Sequence, residues 1–317
     1  MKRLLRLLDD FWFAEAPASR LATLRVLIGA YALYYVGTRY SMLVEVGGTR
    51  PSLFDPVGVA AFLDQPLAPV VFQVLVIATL VANVAFLLGW QYRYAGPAFA
   101  VLLLWVLCYR NSWSMIYHSD NVLVLHVLIL GLTRAADALS LDARARSRRV
   151  RANVSFQALG PGMAEDRRAE RVAYLDTNAS CGWQYGWPIR LMCAVAVLAY
   201  FVTGVAKVAG PLGWSWAHGE ALLSQVAADG LRKDLLGAGA SPWISTLYDY
   251  VFLFAIMGVG SLALELGAPV ALLNKRLSLL WAVSTFLMHW GIFFIMGITF
   301  RYQLSGMIFA PFFMVKK

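Results

Sequence analysis

The run Ile189-Arg-Leu-Met-Cys-Ala-Val-Ala-Val-Leu-Ala-Tyr-Phe-Val-Thr-Gly-Val-Ala-Lys207 decides the fold class. It approaches the roughly 20 apolar residues that cross a bilayer, and it ends on an amine. A charge in or beside hydrocarbon is costly, so such a residue is a functional candidate by default. An amine stripped of water is biased towards its neutral form, and a neutral amine is a base. Two plainer readings stand beside that one: a lysine at a helix end can snorkel to the headgroups, or hold an anion.

Similar runs fill most of the chain. Hydrophobic residues make up 60% of the 317 and charged residues 14%, a balance more apolar than a soluble core needs. The expected class is all-α, a polytopic transmembrane bundle of about seven to eight spans in a multi-pass protein of the cell membrane. A membrane β-barrel would show short alternating segments instead of these long solid ones. The apolar runs predict spans over about 21–44, 68–90, 95–109, 115–133, 188–207, 247–273 and 277–300. The tail 304–315 is short for a span and reads as a tilted or re-entrant helix.

Residues 1–18 read as an amphipathic helix lying on the inner membrane surface, ahead of a transmembrane domain over 19–317. Leu4, Leu5, Leu8 and Trp12 share a face, while Lys2, Arg3 and Arg6 can meet lipid phosphates. Arg6, Asp9 and Asp10 interrupt what would be the core of a signal peptide. The loop 134–187 holds Arg134, Arg144, Arg146, Arg148, Arg149, Arg151, Arg167, Arg168 and Arg171, and the turn Asn274-Lys275-Arg276 is basic too. Alternating spans put both on the side of the N-terminus, which makes that side cytoplasmic. The opposite loops, about 45–67, 110–114 and 208–246, carry only Arg50, Arg110, Arg232 and Lys233. The net charge of +9 thus belongs to inner loops facing membrane lipids, and no nucleic-acid partner is expected. Cys108, Cys181 and Cys193 form no paired framework. In the outer loop, Trp214, Trp216 and Trp243 are interfacial anchors or the lining of a lid.

The same topology sorts the polar residues by depth. Lys207 falls at the outer end of span 5, and His118, Asp120 and Asn121 at the outer start of span 4. His289 falls near the middle of span 7 or slightly above, with Arg301 at the outer end. Lys207, His118 and His289 are therefore expected to converge in the outer half of the bundle. Glu265 falls toward the inner end of span 6 and reads as structural, pairing with an arginine or capping a break at Pro269. His126 lies two turns beyond His118 on roughly the same face, too far to chelate with it as i, i+4 residues do. It reads as an interhelical hydrogen bond, and no metal is expected. The chain carries no serine-nucleophile motif, phosphate-cradling loop, zinc motif or dinucleotide fingerprint. Any chemistry then falls to a membrane-embedded base acting on a lipophilic reactant.

Tyr200-Phe201-Val-Thr203-Gly204-Val-Ala-Lys207 resembles the Tyr-Phe-x-x-Gly-x-Lys-Lys motif of the vitamin K-dependent γ-glutamyl carboxylases. Trp216-Ala-His-Gly219 is similar to the Trp-x-x-Gly that follows it there. Tyr117-His118-Ser119 resembles the family's Asn-His-Ser, Ser140-Leu141-Asp142 its Ser-x-Asp, and Met288-His289 a Met-His of a late span. The order of these pieces, over roughly residues 10–315, is similar to the horizontally transferred transmembrane (HTTM) domain of that superfamily. Ala206 stands where the family has its first lysine, and Tyr117 where it has asparagine. The expectation is a short member without the large lumenal C-terminal region. The resemblance implies Lys207 as catalytic base, His118 as stabiliser of a developing oxyanion and His289 as a lesser catalytic candidate. Tyr200, Thr203, Trp216 and Asn121 are the candidate binding residues for a reduced quinone, a vitamin K-like hydroquinone. The implied reaction is oxygen-dependent carboxylation, here on a peptide or small molecule at the outer face. The alternative is a non-catalytic accessory factor for maturation or export of a secreted peptide.

Overall fold

The computed structural model describes residues 2–113, 116–157 and 180–315, without the side chains of 2–5, 7, 118, 150–157 and 245. Met115, Arg167, Arg168 and Arg171, assigned above to span 4 and the basic loop, lie outside the described residues, as does the rest of 158–179. The described chain is almost entirely helical. It forms two compact units, 1–192 and 193–315, whose boundary falls inside one helix.

The first unit opens with α1 (Lys2–Trp12) and a two-residue strand β1 (Ala16–Pro17), paired antiparallel with β2 (Cys181–Gly182). Then follow α2 (Ala18–Gly37), α3 (Tyr40–Gly47), α4 (Pro69–Leu88), α5 (Tyr92–Asn111), α6 (Asn121–Gly131), α7 (Leu141–Gln157) and the first part of α8 (Trp183–Ala209). The second unit holds the rest of α8, then α9 (Ser215–His218), α10 (Glu220–Leu235), α11 (Pro242–Leu247), α12 (Val251–Leu266), α13 (Lys275–Met296), α14 (Arg301–Leu304) and α15 (Ala310–Met314). All three cysteines are free.

Four helices, α4, α5, α8 and α13, are long and apolar enough to cross a membrane, and α2 with α3 makes a fifth if that bent pair is one span. The protein is a helical membrane protein, and α4 shows why. Val70, Val74, Ile77, Val81, Val84 and Leu88 follow one another at helical spacing and are 42–65% exposed. Water tolerates no such continuous apolar stripe, whereas hydrocarbon does.

The predicted spans differ from the helices where the backbone breaks. Span 1 bends by 54° between α2 and α3. Span 4 shrinks to the 11 residues of α6, because His118–Asp120 forms a 3-10 turn ahead of it. Span 6 stops at Leu266. Ala268–Leu272 continues as a 3-10 turn, since Pro269 has no N–H to give an α-helix. The tail folds back as short helices that bury Tyr302, Phe309 and Phe312, with Phe309 and Phe312 against Trp281 of α13. The segment 208–246, expected above as an outer loop, is largely helical, as α9, α10 and most of α11.

Arg25 ties one end of the first unit together. Fully buried on α2, it donates from Nη1 to the carbonyls of Phe86 (2.7 Å) and Leu87 (2.5 Å), from Nε to Ala135 (3.0 Å) and from Nη2 to Leu139 (2.6 Å). Phe86 and Leu87 belong to the last turn of α4, where carbonyls run out of α-helical donors; that of Phe86 also accepts from the Gly89 N–H at 3.1 Å. Gly89 follows with φ 60°, and a Cβ there would sit 2.4 Å from the Ser140 Cβ. Asp142 completes the hub by accepting from the backbone N–H groups of Gln91 (3.0 Å) and Tyr92 (2.8 Å), which start α5. Ser140 Oγ accepts from the Ala143 N–H at the start of α7. The Ser-x-Asp element is thus a double cap.

Glycine sets the spacing between α5 and α6. A Cβ at Gly131 would lie 2.5 Å from the Gly96 carbonyl oxygen, and one at Gly96 would lie 2.6 Å from that of Gly131. Small residues at a crossing let backbones approach, as in membrane helix pairs. Gly131→Val is expected to cost about 1–3 kcal/mol, because the obstacle is backbone. An unchanged thermal transition in detergent would rule that account out.

Candidate functional site

Lys207 occupies the last turn of α8, and a glycine decides what it meets. A Cβ at Gly204 would come within 2.9 Å of the Glu265 Cβ and 3.0 Å of the Leu266 N. Without one, α8 and the end of α12 close up, and Lys207 Nζ donates to Glu265 Oε1 at 2.7 Å. Simple alternation of spans separates these residues to outer and inner ends; the structure sets them at one level. The reason lies in 208–246. With those helices between them, α8 and α12 meet by their C-terminal ends, where Lys207 and Glu265 lie.

Trp216 and Gly219 form the next layer. Gly219 has φ 84°, and a Cβ there would lie 2.3 Å from the Ala255 N. A Cβ at Gly258 would lie 2.0 Å from the Trp216 carbonyl oxygen. Glycine at both positions seats α9 on α12. That seating brings the Trp216 ring over Lys207, with Nζ 4.9 Å from the ring centroid, where the ring quadrupole attracts a cation. The Trp-x-x-Gly element thus positions an aromatic face against the lysine.

Lys207, Glu265 and Trp216 border a cavity of about 440 Å³ walled by α10, α12 and α13. Its sides are mainly apolar: Leu222 and Val226 from α10, Met257 and Leu264 from α12, Met288 and Ile292 from α13. Such a space has the size and chemistry of a small-molecule site. Behind it, Tyr200 and His289 share a 2.7 Å hydrogen bond between Oη and Nε2. The His289 ring packs 5.1 Å from that of Phe300, which lines the cavity. His289 Nδ1 is buried with no partner.

Of the residues singled out from the sequence, Lys207, Trp216, Tyr200 and His289 therefore gather at or behind one cavity. Thr203 does not join them: it is exposed and turns its hydroxyl back on the Ala199 carbonyl at 2.8 Å. Trp214 and Trp243 are exposed as well. His118 and Asn121 belong to the first unit, His118 on the 3-10 turn and Asn121 exposed at the start of α6. His126 makes the interhelical contact read from the sequence, its Nε2 lying 3.1 Å from the Met192 carbonyl of α8.

Two features escaped the sequence reading. Glu265 is the lysine's partner, a role hidden by its apparent depth. Arg110, counted above as a loop charge, is buried with Asp120 in the first unit, Nη2 to Oδ2 at 2.9 Å. Tyr35 Oη donates to the same Asp120 oxygen at 2.5 Å and accepts from Arg110 Nη1 at 3.0 Å. Arg110 Nη2 also donates to Asn111 Oδ1, and the guanidinium lies over the Tyr117 ring at 4.5 Å. The sequence signal was a basic and an acidic residue at two facing apolar ends. No protein-family model, curated protein or solved structure matches the chain.

Proposed function

We propose that the protein is an integral membrane enzyme of the cell membrane, with about seven to eight spans and a cytoplasmic N-terminus carrying the interfacial helix α1. It uses Lys207 as a base on a reduced, quinone-like reactant and modifies a peptide or small molecule at the outer face, as the γ-glutamyl carboxylases that its motifs resemble do. One observation carries this reading: the lysine singled out by the motif, paired with Glu265, lines a mostly apolar cavity whose other polar side chains are the uncharged Gln225 and Ser261.

The residues present fit a lipophilic hydroquinone. Apolar walls and the soft side chains of Met257 and Met288 suit a hydrocarbon body, and the one strongly polar end, Lys207 with Glu265, suits a hydroxyl. When bound, such a group supplies the reducing electrons and an acidic O–H. The chain supplies the proton handling. To act as a base, the Lys207 ammonium first gives up a proton, and Glu265 Oε1, 2.7 Å from Nζ, is placed to take it. An uncharged amine and carboxyl then stand side by side, which avoids holding two charges in an apolar site. The Trp216 face and the apolar walls keep water off the amine. His118 keeps its proposed part as oxyanion stabiliser.

The test uses purified protein in lipid nanodiscs, supplied with a reduced naphthoquinone, oxygen, labelled bicarbonate and a glutamate-containing peptide as acceptor. Lys207→Ala is expected to lower quinol consumption and label incorporation by at least ~10²-fold, the usual weight of a positioned base. Lys207→Arg should fail as badly, because arginine keeps its proton. Full activity in Lys207→Ala sinks the proposal. The second reading, a non-catalytic accessory factor, draws on the existing ion pair with Glu265 as a structural contact. It predicts that Lys207→Arg supports peptide maturation or export as the natural chain does.

A further inference from the structure

Glu265 has one oxygen to spare. Oε1 accepts from Lys207, but Oε2 has no partner, although the residue is 5% exposed and borders the cavity. An unpartnered buried carboxylate oxygen is costly and calls for a donor. Among the described residues none donates to it, and the cavity lies open beside it.

Two glycines on the cavity wall point the same way. Gly260 on α12 and Gly291 on α13 both line it, yet a Cβ at either would meet nothing within 4 Å. They differ from Gly204 and Gly258, whose missing Cβ lets another segment close in. Glycine inside a helix is a weaker helix former than alanine, so neither local structure nor helix packing accounts for these two. What they leave is free space in the wall.

We infer that Glu265 anchors a lipid-soluble, hydroxyl-bearing molecule by accepting its O–H at Oε2, and that Gly260 and Gly291 provide the room for its body. The inference rests on the cavity assigned to the reactant in the proposed function, and it names that reactant's anchor and the positions that set its girth. The donor requirement is specific. A fatty-acid carboxylate has no hydrogen to donate and would also leave Oε2 unpaired. An ether or ester without an O–H would leave Oε2 unpaired. A phenol, a hydroquinone or a long-chain alcohol satisfies it.

Binding, measured without turnover, separates this inference from the catalytic one. Equilibrium dialysis of 1-naphthol and of 1-methoxynaphthalene against protein in nanodiscs, corrected for empty discs, compares one shape with and without the donor. The natural chain should bind the naphthol about tenfold more tightly than the ether, the worth of one net hydrogen bond. Gly260→Leu and Gly291→Leu should each weaken naphthol binding by about tenfold or more, since a side chain added to the cavity wall takes the space of the ligand. Glu265→Gln should narrow the preference for naphthol. Gly37→Leu, at a glycine outside the cavity where an added Cβ also meets nothing within 4 Å, serves as the folded control and should still bind. Equal binding of naphthol and ether, or natural affinity in a Gly291→Leu variant with an unchanged thermal transition, overturns the inference. Binding as expected with full activity in Lys207→Ala would instead remove the catalytic proposal and leave this one standing.

Discussion

Arg25→Ala is expected to destabilise the first unit by about 3–5 kcal/mol, the cost of breaking up a buried charged contact. The side chain is wholly buried and its guanidinium reaches four carbonyls, two at the end of α4 and two on the segment after α6. Removing it takes the side-chain donor from the Leu87, Ala135 and Leu139 carbonyls, while that of Phe86 keeps the Gly89 N–H, and acceptors left unpaired keep much of their desolvation cost. It also leaves a void beneath Gly89, where Arg25 Nη1 lies 3.0 Å from the position of an added Cβ. Arg25→Lys should recover little, because an ammonium cannot reproduce a planar fork that addresses several carbonyls at once. For a unit of this size the loss corresponds to a fall in melting temperature on the order of 10 °C. Thermal unfolding in detergent, followed by intrinsic fluorescence, measures it. A transition within about 2 °C of the natural chain for Arg25→Ala would show that the hub is dispensable.

The second large effect belongs to Asp120. Asp120→Ala leaves the Arg110 guanidinium buried without its carboxylate and is expected to cost about 3–5 kcal/mol. Tyr35 loses its acceptor in the same step. The double substitution Arg110→Met with Asp120→Leu should be clearly more stable than Asp120→Ala alone, since buried pairs are often replaced by apolar residues at little cost. That ordering is the informative result. If the double variant is no better than the single one, the cost comes from the carboxylate's bonds to Tyr35 and Ser119, and not from the stranded charge.

These residues show what a sequence reveals of such a fold. Runs such as 68–90 and 277–300 are legible because hydrocarbon demands length and apolarity, and α4 and α13 lie close to them. Breaks are harder to read, because they arise from what surrounds the backbone. The bend between α2 and α3 falls at Thr38-Arg39, which carries neither proline nor glycine. Pro269 did mark the end of a helix. Within the site, Lys207 was legible because an amine at the end of a span is unusual in itself, and Trp216 through the likeness of Trp216-Ala-His-Gly219 to the family's Trp-x-x-Gly. Glu265 was not, since counting spans presumes that each crosses fully and α12 has only 16 residues. Arg110 was misread for a related reason. Charge counting treats a basic residue at a span end as solvated, and only the fold reveals that Asp120 waits beside it.

The caps at Asp142 have a consequence for the order in which the chain assembles. The first N–H groups of α5 find their acceptor 50 and 51 residues later in sequence. Arg25 likewise waits for carbonyls as far as 114 residues downstream. At about 5–20 residues per second, synthesis reaches Asp142 some 3–10 s after Gln91 and Tyr92 have emerged. The α4–α5 hairpin thus enters the bilayer with its turn unfastened, and residues 135–142 act as a late clasp. Chains truncated just before Ser140 should insert that hairpin yet leave it open to protease at 89–92, whereas chains reaching past Asp142 should protect it.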